Sequence, residues 1–261
     1  MIEPAVVSAP PGGAGPVFEA RSLHKSFGGV HATRNLSLSL ELGRVHALIG
    51  PNGAGKTTAL AQLSGELQPD AGTILYRGED ITQLSMAARS ARGIARSFQI
   101  TAVFEDFTVR DNVAVAVQSR SAHHFAFWRP AAKDRRLIEP AERILEQVGL
   151  TALAGQRAGD LSHGQKRQLE IAMALATEPT VLLLDEPMAG MGRAESETIT
   201  ELLEQIRPSH AILLVEHDMD VVFRLADTVS VLVGGALLAS GTPAAVRQDA
   251  EVRAAYLEES I

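Results

Sequence analysis

The chain has 261 residues, 46% of them hydrophobic, with a formal net charge of −7 and no cysteine. That is enough apolar content for one large or two small domains with a real core. The acidic balance argues against nucleic-acid binding as the main role, and the missing thiols exclude disulfides and thiolate metal sites. Uninterrupted apolar runs such as 181–184 fall far short of the ~20 residues that span a membrane. The N-terminus lacks a basic segment followed by an apolar one, so a soluble, cytoplasmic chain without a signal peptide is expected.

Residues 1–16 are rich in Pro, Gly and Ala without any period and read as a disordered leader. Strands are expected at 17–23 and at 36–42, where Leu36-Ser37-Leu38-Ser39-Leu40 alternates with period two. A further strand at 44–49 feeds Gly50-Pro51-Asn52-Gly53-Ala54-Gly55-Lys56-Thr57-Thr58, after which Ala59 to Leu63 forms a helix. Strand, glycine-rich loop and helix together are the context of a phosphate cradle. The glycines let backbone N–H groups approach a phosphate, and the helix start adds free donors and the positive end of its dipole. Lys56 supplies charge to the outer phosphates and Thr57 a hydroxyl to Mg²⁺. The plain alternative is a glycine turn that binds nothing; the pattern arises by chance in about one chain of this length in a hundred.

Gly72 to Tyr76 reads as another strand, and Gly93 to Gln99 as a short strand ending in the glutamine. A mostly helical region follows to about 178, including a helix over 140–148 with Pro140 at its first position and Gly149 as its stop. Leu161-Ser162-His163-Gly164-Gln165 has the form of a capping box, Ser162 as N-cap and Gln165 three residues on, before a helix with Leu169, Ala172, Met173 and Ala176 on one face. That suffices for a stable helix, and the same groups also make an anion site. Val181 to Leu184 is a buried strand, 194–206 a helix, 211–215 a buried strand, 218–225 a short helix, and 229–239 a hairpin around Gly234-Gly235. Continuous apolar strands separated by helices indicate an α/β fold with a largely parallel sheet covered on both faces. The strands before 45 and near 74 form an antiparallel addition.

Asp185 and Glu186 close the strand 181–184, at the end where ligands sit in an open α/β sheet. Asp185 is suited to the Mg²⁺ water shell, since Mg²⁺ takes few protein ligands, and Glu186 to polarising an attacking water. An Asp-Glu pair exposed after a strand is also common; the upstream phosphate loop favours function.

Phosphate loop, Leu161–Gln165 pentapeptide and Asp-Glu strand, in this order, resemble the ATP-binding cassette (ABC) ATPases over roughly residues 17 to 258. The resemblance implies a P-loop NTPase (RecA-like) core, an N-terminal antiparallel β subdomain and an inserted helical subdomain at about 100–178. The cassette then spans 17–242, with a helical tail over 243–261. It implies ATP and Mg²⁺ as cofactors. Gln99 matches the glutamine that touches Mg²⁺ or water and senses the partner, and His217 the histidine that contacts the γ-phosphate. Phe27 matches the aromatic that stacks on adenine, though a phenylalanine there also fits a core. Two cassettes pair head to tail, Ser162, Gly164 and Gln165 of one completing the phosphate site of the other. His163 stands where the family pattern has glycine, and Gly192 where it often has aspartate.

Arg96-Ser97-Phe98-Gln99, Met188-Ala189-Gly190-Met191, Val215-Glu216-His217-Asp218-Met219 and Arg253 to Glu258 are similar to the ATPase subunits of branched-chain amino acid importers. Cassettes serving urea, short amides, aromatic acids or lipid and lipopolysaccharide export share much of this pattern, and soluble cassette ATPases that move no solute carry the same motifs. The resemblance implies a second cassette chain, integral membrane permease subunits, a separate solute-binding protein, a place on the cytoplasmic face of the inner membrane, and no nucleic acid. The stretch 119–136 holds five Arg and Lys against one Asp, and three of the eleven aromatics. It reads as a solvated insertion or as a docking segment for a membrane subunit or anionic headgroups.

Overall fold

A computed structural model describes residues 15–97, 103–120 and 134–257. Two sheets form its frame. The first is antiparallel, in the order β2-β1-β4-β5, built from β1 (Phe18–Phe27), β2 (Val30–Leu40), β4 (Ala71–Tyr76) and β5 (Glu79–Asp80). The second has six strands in the order β10-β9-β3-β8-β7-β6. Its members are β3 (Val45–Ile49), β6 (Ile94–Arg96), β7 (Val181–Asp185), β8 (Ala211–Val215), β9 (Thr228–Val233) and β10 (Ala236–Gly241). All its pairings are parallel except the β9–β10 hairpin.

The central strands β3, β7 and β8 are buried at every residue, which is why they read as unbroken apolar runs. Their alternate residues serve two cores. Leu182, Leu184, Ile212 and Leu214 pack with α3 (Val109–Gln118), α4 (Arg135–Gln147), α5 (His163–Ala176) and α6 (Arg193–Ile206). Val181, Leu183, Leu213 and Val215 face the other way, toward α1 (Lys56–Ser64) and the antiparallel sheet through Phe18, Leu36 and Ile74. A third, smaller cluster joins Ala47 and Ile49 to α7 (Met219–Leu225), α8 (Pro243–Gln248) and α9 (Ala250–Val252) through Val222, Val246 and Val252. Among the described residues no helix is long and apolar enough to cross a membrane.

His46 pins β3 from both sides. Its Nδ1 donates to the Ser39 carbonyl at 3.0 Å, so its Nε2 accepts from the Ser230 hydroxyl at 2.8 Å. Burial lowers its pKa, keeping the ring neutral as this bonding requires.

Three expectations change. The strands expected at 17–23 and 36–42 are the outer parts of one longer hairpin whose tip pairs Phe27 with Val30. Register shifts, with Ser22 and Asn35 at positive φ, break the alternation that would have revealed it. The helix expected to open at Pro140 opens at Arg135, because Asp134 caps it by accepting from the Arg136 N–H at 3.0 Å. Pro140 therefore lies inside α4. Finally, β6 ends at Arg96, and Gln99 lies outside the described residues, as do 121–133 of the basic-aromatic stretch. Of that stretch, Arg136 pairs with Asp134.

Candidate active site

Because β6, β7, β8 and β3 lie side by side and parallel, their C-terminal ends share one edge of the sheet. Leu48 of β3 and Asp185 of β7 both pair with Val215 of β8. The loop 50–58, the pair Asp185-Glu186 and His217 are thus brought together, with strands about 4.8 Å apart.

The phosphate loop is a backbone cradle. Gly50 sits at φ 149° and Gly55 at φ 104°. A Cβ on either would fall 2.1 Å from a carbonyl oxygen, that of Leu232 or of Ala32, so only glycine fits. Gly55 is the N-cap of α1 and offers no side chain, and α1 carries no side-chain cap. The first N–H groups of this nine-residue helix therefore suit an anion. Lys56 is buried, its Nζ donating to the carbonyls of Gly50 at 2.6 Å and Pro51 at 3.2 Å. Burial pushes its pKa down, against Glu186 and Asp185, which pull it up. Thr57 and Asn52 are exposed and Thr58 half-buried at the loop surface.

Asp185 is buried at the end of β7, and Arg96 at the end of β6 donates to its Oδ2 at 3.3 Å. Burial raises the Asp185 pKa, and Arg96 opposes the rise. Glu186 stands at φ +45°, a left-handed conformation costly for a non-glycine residue. Its backbone is held there on two sides. Its N–H donates to Val215 O at 2.9 Å, and the buried Arg167 donates to the carbonyls of Asp185, Glu186 and Pro187 at 2.8, 2.9 and 3.1 Å. The result turns the Glu186 carboxylate toward His217, whose Nδ1 is 3.8 Å from Glu186 Oε2. Glu216, fully buried beside it, accepts from the Met188 and His217 N–H groups at 2.9 and 3.1 Å. One carboxylate therefore ties the loop after β7 to the loop after β8. Among the described residues no cluster of three or more His, Cys, Asp or Glu forms an ion site by itself. Thr57 and Asp185 fit Mg²⁺ instead, which draws most ligands from phosphate and water.

The antiparallel sheet contributes Phe27, 53% exposed at the tip of β1 with Lys25 Nζ 5.7 Å from its ring centre. That exposure removes the alternative of a core phenylalanine. The hairpin is fastened behind the loop: Arg34 N–H donates to Gly235 O at 2.6 Å, and Gly235 N–H to Ala54 O at 2.9 Å. Ser162 caps α5 in a full capping box, its Oγ accepting from the Gln165 N–H and its own N–H donating to Gln165 Oε1 at 2.9 Å. Ser162 is exposed and Gly164 buried.

Residues 33–189 match the ABC transporter family, and residues 236–257 match the branched-chain amino acid ATP-binding cassette transporter family. The chain belongs to the ABC transporter family. Like other cassettes of that family it is an ATPase. It is 38% identical over 252 residues to the high-affinity branched-chain amino acid transport ATP-binding protein BraF of Pseudomonas aeruginosa, covering 94% of this chain and 99% of that one. It is 36% identical, with the same coverage, to the corresponding protein LivG of Escherichia coli K12. Among solved structures it is similar to MJ1267, an ATP-binding cassette of an ABC transporter in its ADP conformation. That similarity has a TM-score of 0.83 and 30% identity, covering 94% of this chain and 99% of that one.

Within the cassette, the expected loop, carboxylates and histidine meet at one edge, while Ser162 and Gly164 stand at the start of α5 with neighbours in α6. The sequence reading missed Arg167 and Glu216 as supports of the Glu186 and His217 loops, and Arg96 as the partner of Asp185. Arg89 of α2 (Met86–Ser90) was missed as well. It is fully buried and donates to the carbonyls of Gln62 and Leu63 at the end of α1, both at 2.8 Å. Of these, only Arg96 and Glu216 stand inside stretches that the family resemblance marks; Arg167 and Arg89 stand in none.

Proposed function

We propose that this cassette is the ATP-hydrolysing subunit of an importer of branched-chain amino acids or related small polar solutes. It works as a peripheral subunit on the cytoplasmic face of the inner membrane. The reading is carried by the convergence of loop 50–58, Glu186 and His217 at one sheet edge, in a chain similar to BraF and LivG along nearly its whole length. The lipopolysaccharide export protein LptB of Escherichia coli is 32% identical over 241 residues, so the motifs alone do not select a solute. The match over 236–257 favours amino acid import.

In this reading the loop N–H groups and Lys56 bind the outer phosphates, and Phe27 stacks on the adenine. Thr57, Asp185 and Gln99 would hold Mg²⁺, which would supply charge neutralisation. Glu186 holds the attacking water and takes its proton, with His217 beside it at the γ-phosphate. Ser162, Gly164 and Gln165 complete the phosphate site of a second cassette. Permease subunits take up the motion, and a separate protein delivers the solute.

The test uses the complex purified from membranes. Polytopic membrane subunits should accompany the chain, and a branched-chain amino acid with its binding protein should stimulate ATP hydrolysis. Glu186→Gln should keep ATP binding while slowing hydrolysis about 10²- to 10⁴-fold. Near-normal turnover in that variant would sink the assignment of Glu186.

A further inference from the structure

His163 and Gly192, the two departures from the family pattern, have no part in the function described above. Both lie where α5 meets the start of α6, and Glu195 in the first turn of α6 stands between them. Glu195 Oε2 accepts from the Gly192 N–H at 3.4 Å, and the Ser162 hydroxyl donates to Glu195 Oε1 at 3.3 Å. The carboxylate lies directly over Gly164: a Cβ there would fall 2.7 Å from Oε1 and 2.8 Å from Cδ. His163 closes the same seam, its Nε2 donating to the Ala189 carbonyl at 3.2 Å.

Ser162 has a single hydroxyl proton. Its oxygen already accepts from the Gln165 N–H at 3.3 Å, so the proton directed at Glu195 is the only one it can offer. A phosphate on a second cassette needs that proton. It also meets a carboxylate of like charge, drawn to the positive end of α5. Neither group can be satisfied while the other is in place.

We propose that Glu195 is a gate on this surface: an internal anion that occupies Ser162 and Gly164 until the γ-phosphate carried by the partner cassette displaces it. The proposal rests on the shared-site reading of Ser162 and Gly164. Its consequence is a higher ATP requirement for cassette closure than the phosphate contacts alone would set.

The sign of the effect separates a gate from a structural support. Glu195→Gln keeps an acceptor for the Gly192 N–H but removes the charge. Glu195→Ala removes both and weakens the start of α6. The chain has no cysteine, so Ser209→Cys on the exposed turn before β8 gives one labelling position. In the transport complex, with Glu186→Gln blocking hydrolysis and fluorophores on both cassettes, closure is followed by energy transfer as ATP is raised. Glu195→Gln should close at about fivefold lower ATP, the equivalent of about 1 kcal/mol. Glu195→Ala should move the same way despite a lower melting temperature. An unchanged or higher midpoint in Glu195→Gln overturns the gate and leaves the shared site standing. If ATP produces no closure in any variant, the shared-site reading falls and the gate falls with it.

Discussion

Lys56 carries its charge where burial disfavours it, and among the described residues its hydrogen-bond acceptors are two loop carbonyls. Phosphates would add strong negative charge beside it and raise its pKa again. Binding of Mg-ATP should therefore be independent of pH below the lowered pKa of the free protein. Above that value it should weaken with rising pH and take up a proton. Calorimetry in buffers of different ionisation enthalpy measures that uptake directly; it should vanish in Lys56→Ala along with most of the affinity. Zero uptake in the wild-type chain at alkaline pH would show that Lys56 does not face the phosphates. The residues of this loop were legible in the sequence because its function lies in spacing within nine positions. The supports of the site were not, because their partners are remote: Arg96 is 89 residues from Asp185, and Glu216 is 28 from Met188.

Elements were legible in proportion to how regularly they bury side chains. The strands β3, β7 and β8 are apolar throughout because the sheet is covered on both faces. The tip of the β1–β2 hairpin is mostly exposed and irregular in register, so no period marks it. In α4 a local rule misled, since proline at the first helical position is the common case. Here Asp134 starts the helix and Ala141 and Leu145 are buried one turn apart, so tertiary packing carries the chain through Pro140. That leaves the Arg136 carbonyl without its usual partner, a defect worth about 3 kcal/mol in a helix interior. Pro140→Ala restores the N–H but frees the unfolded chain, offsetting part of the gain. The expected net is about 2 kcal/mol of added stability and a melting temperature higher by about 4 to 8 °C. A fall in melting temperature would mean that the proline ring itself is needed for packing against α3.

At the scale of the whole molecule, the proposed nucleotide site lies where separately packed parts meet. Phe27 belongs to the antiparallel sheet, while the loop 50–58, Glu186 and His217 hang from the parallel one. The core on one face of the parallel sheet holds α1, and the core on the other holds α5 and α6. A ligand that touches Phe27, α1 and the ends of β7 and β8 together would couple the opening of all these parts, not just stiffen one loop. Mg-ATP at 100 times its Kd should add about 2.7 kcal/mol to the stability of the native chain. Melting should then rise by about 5 to 10 °C. Hydrogen exchange should slow in the β1–β2 tip and α1 together, and less in α4, which lies away from the sheet edge. Glu186→Gln should show the full effect because it binds without consuming the ligand, and Lys56→Ala should show little of it. Protection confined to α1, with the hairpin exchanging as fast as in the free protein, would separate Phe27 from the nucleotide and leave the loop as the sole anchor.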